Sequence, residues 1–211
     1  MDQKKFIPQV PRALVACFLY AMSTTIAAQE LTFGNTMPFE DQGTHQPDFV
    51  LGVQVAIPVS MELTSFGLMY GHEDQAPPLV ANAVFGLYSS DGATGLPSEL
   101  LALTDPVNLS DQQTYDHIPF ATSPWISAGT YWMMGLYESN ANTRANLSAS
   151  ESLVAYWPNA YEAGMPATAP DIETYTGQNF NYWINGMLHD AIFQDRFELQ
   201  TMTSSIQSTV D

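Results

Sequence analysis

Ser127-Ala128-Gly129-Thr130-Tyr131-Trp132-Met133-Met134-Gly135-Leu136-Tyr137-Glu138 reads as one strand that is apolar on both faces. A small-residue turn opens it. Side chains alternate across a strand with period two. Thr130, Trp132, Met134 and Leu136 therefore share one face, and Tyr131, Met133, Gly135 and Tyr137 the other. A strand apolar on both sides belongs in the middle of a sheet with cover above and below it.

Working outward, the neighbouring text is of the same kind. Phe49, Leu51, Val53, Val55 and Ile57 alternate against Gly52 and Gln54. Further short strand patterns run over residues 62–70, 79–89, 99–104, 113–121, 152–157 and 179–187. Pro58, the Pro77-Pro78 pair, Asp91-Gly92, Asp105-Pro106 and Pro158 punctuate them. No stretch holds a helical period. The pattern predicts an all-β protein, an antiparallel two-sheet jelly-roll sandwich of about eight strands. Residues 29–47 read as an irregular lead-in, 48–187 as the sandwich, and 188–211 as a partly disordered tail. Ser139 to Thr143 reads as a turn and 159–178 as a long loop.

Composition narrows the function. The 211 residues carry a formal net charge of −17. A nucleic-acid-binding domain needs a basic footprint, so that class is excluded. Lys4, Lys5 and Arg12 precede an apolar run from Ala13 to Tyr20, and small residues close it at Thr25-Ile26-Ala27-Ala28. These are the parts of a secretory signal peptide over residues 1–28, with cleavage expected after Ala27 or Ala28. Leu14-Val15-Ala16-Cys17 has the letters of a lipoprotein box, but its apolar run follows the cysteine instead of preceding it. The strongly apolar part is too short to span a bilayer, so no stable membrane insertion is expected after cleavage. Cleavage would remove Cys17, the only cysteine, and leave Arg144 and Arg196 as the only arginine or lysine side chains. The expected location is secreted, extracellular or periplasmic, with the cell surface as a further option.

Three segments carry a family resemblance when read in order. They are VFGLYSSDGATGLPSELL from Val84, WISAGTYWMMGLY from Trp125 and TGQNFNYWI from Thr176. Together they resemble secreted bacterial jelly-roll domains of largely uncharacterised role, similar to carbohydrate-binding modules. The resemblance covers residues 48–187 and consists of strand and turn text, so it implies a fold more than an activity. Ile126-Ser127 departs from the leucine the pattern favours. The segment from Asp190 to Glu198 (DAIFQDRFE) resembles the IFxDGFE-type tail of many secreted proteobacterial proteins. Arg196 stands where that tail has glycine, and thirteen residues follow Glu198.

Catalytic motifs are missing from the text. There is no Gly-x-Ser-x-Gly, and no histidine among His45, His72, His117 and His189 has a second one at zinc-binding spacing. Enzymatic activity is not expected, and no cofactor is called for. Calcium takes carboxylate and carbonyl oxygens from loops, which makes Asp41, Asp74 and Asp91 its candidate ligands. The aromatic residues are the stronger lead, because sugar rings stack on exposed indole and phenol faces. Tyr161 and Tyr175 lie in the same Asn- and Pro-rich region as two tryptophans. Trp183 alternates with Asn181 and Asn185, opposite Phe180, Tyr182 and Ile184. That face reads as a solvent-facing platform. Trp157, Asn181, Trp183 and Asn185 are therefore the candidate ligand-binding residues, whereas Trp132, Phe66 and Phe85 read as core. The expected function is a non-catalytic binding domain for a polysaccharide or cell-surface ligand. The alternative is a structural or adhesive extracellular protein without a sugar site.

Overall fold

The computed structural model describes residues 28–71, 80–110 and 114–188. Residues 1–27 of the stretch read as a signal peptide, the segment carrying His72 and Asp74, and the residues from His189 on lie outside the described residues. Thirteen strands account for most of the described residues: β1 Gln29–Gly34, β2 Asp41–His45, β3 Phe49–Ile57, β4 Met61–Met69, β5 Ala81–Ser90, β6 Pro97–Leu103, β7 Val107–Leu109, β8 Thr114–Pro119, β9 Trp125–Ile126, β10 Gly129–Tyr137, β11 Ala141–Pro158, β12 Glu173–Phe180 and β13 Tyr182–Leu188. Among the described residues no helix is long and apolar enough to cross a membrane.

The strands form two antiparallel sheets packed face to face, the sandwich that the alternating pattern predicts. The smaller sheet has the order β1-β13-β4-β8, with β9 also paired to β4. The larger has the order β12-β11-β3-β10-β5-β6. Strand β2 joins it beside the first half of β11, and β7 beside the start of β5.

Strand β10 lies between β3 and β5, with Met133 opposite both Val53 and Leu87. Both of its faces are covered, as its sequence requires. Tyr131, Met133 and Tyr137 enter the core between the sheets with Val53, Phe66, Phe85 and Tyr182. Trp132, Met134 and Leu136 form a second core on the outer face with Val50, Tyr88, Ala155 and Trp157. A strap made by residues 159–172 roofs this second core and buries Met165 against it. Its backbone is pinned at several points. The Tyr88 hydroxyl donates to the Pro166 carbonyl at 2.6 Å. The Ala169 N–H donates to Ser98 at 2.8 Å, and the Tyr161 N–H to the Asp48 carboxylate at 2.9 Å. Full burial of each large apolar side chain contributes roughly 1.5–3 kcal/mol, so both cores hold β10 in place.

The chain is more continuously β than its text suggests. The lead-in supplies β1 and β2. The polar stretch read as a turn begins β11, where Asn142 and Thr143 are buried and pair with Thr44 and Gly43. The loop read over 159–178 ends in β12. In each case the strand is polar or glycine-rich, and cross-strand pairing to a distant segment holds it extended.

Candidate ligand-binding cleft

The four residues singled out from the sequence do not form an exposed platform. Trp157 and Asn181 are fully buried, and Trp183 and Asn185 expose 3% and 2% of their surface. Trp157 lies under the strap, edge-on to Tyr88 with ring centroids 5.5 Å apart. Asn181 bridges the β1–β2 connection. Its amide donates to the Asn35 and Met37 carbonyls at 2.8 and 2.7 Å, and its oxygen accepts the Phe39 N–H at 2.8 Å. Trp183 and Asn185 do point outward from the smaller sheet, opposite Tyr182 and Ile184. Trp183, however, faces Gly67 on one side and Gly34 on the other. A Cβ at Gly67 would collide with the indole, so the missing side chain is what lets the ring lie flat on the sheet.

Trp183 and Asn185 line a polar cleft of about 230 Å³ with Glu30, Thr32, Asp116 and His117. Asn185 is its hub. Its oxygen accepts from Thr32 Oγ1 at 2.7 Å, and its amide donates to Ser65 Oγ at 2.9 Å and to the Asp116 carbonyl at 2.8 Å. His117 Nδ1 stands 3.2 Å from Ser65 Oγ and 3.6 Å from Glu30 Oε1. Serine and glutamate thus converge on one ring nitrogen. A nucleophile relay would place them on opposite nitrogens.

A different cleft has the features of a ligand site. It encloses about 260 Å³ and is lined by Thr44, His45, Gln46, Phe49, Leu51, Tyr156 and Tyr175. Register explains how it forms. Leu51 pairs with Tyr156, Val53 with Val154, and Val154 with Tyr175. Phe49, Leu51, Tyr156 and Tyr175 thus continue the inward-facing rows of β3, β11 and β12. Here these side chains are half-buried, whereas Val53 and Val154 are fully buried. The rings form a bent wall, with centroids 6.4 Å apart for Phe49–Tyr156 and 5.8 Å for Tyr156–Tyr175.

Polar groups orient that wall. The Tyr156 hydroxyl donates to Glu173 Oε2 at 2.6 Å, and the Tyr175 hydroxyl to Gln178 Oε1 at 2.7 Å. The bond to Glu173 raises the Tyr156 pKa above its ordinary value, and burial raises that of Tyr175. Both phenols stay protonated at neutral pH and keep lone pairs to accept from a ligand hydroxyl. Thr44 and Gln46, which also line the cleft, are exposed.

His45 connects the cleft to the core. It packs against Tyr137 and Phe180 at 4.6 and 4.8 Å, and its Nε2 meets Thr143 Oγ1 at 2.8 Å. Burial lowers its pKa to about 3, so the ring is neutral. Its Nδ1 has no hydrogen-bond partner among the described residues. A buried polar atom left unpaired is costly, and Thr64 Oγ1, the Tyr70 hydroxyl, Asn142 Oδ1 and Trp157 Nε1 share that state among the described residues.

The calcium candidates in view already accept hydrogen bonds from the protein. The Asp91 carboxylate accepts from the Ala93 and Thr94 N–H groups and the Thr94 hydroxyl, which lowers its pKa. Asp41 accepts the Leu147 N–H at 3.0 Å. Among the described residues no group of three or more His, Cys, Asp or Glu side chains could hold a metal ion.

The aromatic cleft was hard to read locally. Tyr175 stood out with the C-terminal aromatics, but Tyr156 and Phe49 read as ordinary strand residues. Their only marker was an aromatic at each strand end beside polar turn text. No protein-family model matches the chain, and no curated protein matches it in sequence.

Proposed function

We propose that the chain is a secreted, non-catalytic binding domain that recognises a saccharide of a polysaccharide or cell surface through the Phe49–Tyr156–Tyr175 cleft. The bent aromatic wall, in a cleft also lined by the Thr44 hydroxyl and the Gln46 amide, is the observation that carries this reading. Sugars present apolar C–H faces rimmed by hydroxyls. A half-buried ring covers the face, and flanking side chains bond the rim. Both phenols are preset by Glu173 and Gln178, which lowers the ordering cost of binding.

Calorimetric titration of the folded protein against a panel of neutral and acidic glycans tests this reading, with Tyr156→Ala alongside. Binding to at least one glycan, weakened at least about tenfold in the variant, is the expected outcome. Absence of binding across the panel, or equal affinity in the variant, would overturn it.

One observation favours the structural or adhesive alternative. Three of the four tryptophans, Trp132, Trp157 and Trp183, are buried, as expected of a protein whose aromatics serve the fold, while Trp125 is half-exposed. That reading requires no ligand at Tyr156.

A further inference from the structure

We infer that the aromatic cleft selects a single uncharged sugar ring and rejects uronic and sulfated sugars. The inference rests on the saccharide reading above and narrows its ligand class.

Size gives the first half of the argument. The cleft holds about 260 Å³, below the roughly 300–1,000 Å³ of clefts that enclose drug-sized molecules. Thr44, Gln46 and Tyr175 are all among the side chains that line it. One ring can be enclosed there, and further rings of a chain would lie outside.

Charge gives the second half. Among the described residues no lysine or arginine lines the cleft, and Arg144, the only such residue described, reaches instead toward the Phe39 carbonyl. The one basic ring in the wall, His45, is kept neutral by burial. Glu173 places a carboxylate beside Tyr156. The whole chain carries −17. An anionic sugar would lose hydration without gaining a cation, and would approach against a field of its own sign. An uncharged ring meets neither obstacle.

The experiment titrates the full chain with a matched pair: the methyl glycoside of the best-binding neutral hexose and the corresponding methyl hexuronate. Oligomers of the neutral sugar are titrated alongside, and Tyr156→Ala is run against all of them. The neutral glycoside should bind, and the uronate should bind at least about tenfold more weakly at low salt. That gap should narrow as the screening length falls from about 30 Å at 0.01 M to about 3 Å at 1 M salt. Affinity should rise less than about threefold from the single ring to the longest oligomer. A uronate bound as tightly as the neutral glycoside, and lost in Tyr156→Ala, overturns the selectivity while leaving the saccharide reading intact. Affinity that climbs steadily with chain length overturns the single-ring assignment. Failure of every saccharide to bind, with Tyr156→Ala indistinguishable from wild type, ends the saccharide reading itself.

Discussion

The two clefts are similar in size and opposite in character. The polar cleft on the smaller sheet is built around Asn185, whose amide and carbonyl already bond Thr32, Ser65 and Asp116. Its indole, Trp183, lies flat over a glycine and is almost wholly covered. The cleft on the larger sheet has half-buried rings and phenols that retain acceptor capacity. The first arrangement is what a fold needs to keep a polar patch satisfied. The second leaves contact area and hydrogen-bonding capacity for something else. Aromatic and asparagine content therefore does not separate a binding site from a structural one. What separates them is whether each group's capacity is already used within the fold.

The sharpest way to break this contrast is to remove the structural indole. Trp183→Ala should destabilise the protein by about 3–5 kcal/mol, because the void over Gly67 cannot close fully. Denaturant unfolding reads that loss, and saccharide affinity of the folded fraction should stay within about twofold of wild type. Loss of binding at unchanged stability would exchange the roles of the two clefts. Asn185→Ala should cost about 1–3 kcal/mol in the same measurement, since Ser65 and the Asp116 carbonyl lose a buried donor.

His45 sharpens the contrast through pH. Its folded pKa, lowered to about 3 by burial, lies below the unfolded value near 6.5. As pH falls below about 6.5 the unfolded chain takes up a proton that the folded chain refuses. Stability should therefore be complete above that pH and drain away toward pH 3, by up to about 1.4 kcal/mol per pH unit. Unfolding followed between pH 6.5 and 5, above most carboxylate titration, isolates the effect. His45→Gln should flatten the slope, and an unchanged slope in that variant would assign it elsewhere. The smallest effect belongs to Thr32→Val, which removes the hydroxyl donor of an exposed residue to the buried Asn185 and should cost about 0.5–1.5 kcal/mol.

The sandwich was legible because its central strand states its own environment. Trp132 and Met134 on one side of β10, with Tyr131 and Met133 on the other, require two covered faces, and the core and the strap supply them. The outward direction of Trp183 and Asn185 was legible too, from alternation with Tyr182 and Ile184. Their burial was not. It depends on Gly67 and Gly34 falling opposite Trp183, a register between segments more than a hundred residues apart that local text does not encode. Trp157 was misread for a related reason: its cover is the strap, whose pinning bonds run from Tyr88, Ser98 and Asp48. Strands β1, β2 and β12 escaped notice because pairing, not propensity, extends them. The aromatic cleft was hidden in the same way, since Phe49, Tyr156 and Tyr175 become neighbours only once β3, β11 and β12 are in register.

The central claim is that ligand enters at the phenols of the larger sheet and not at the indole of the smaller one. Backbone amide shift mapping during titration with the best-binding neutral sugar tests it most directly. The account predicts saturable shifts at Thr44, Gln46, Tyr156 and Tyr175, with Thr32, His117 and Asn185 unmoved. Shifts centred on Thr32, His117 and Asn185 instead, or no saturable shift at either cleft, would contradict it.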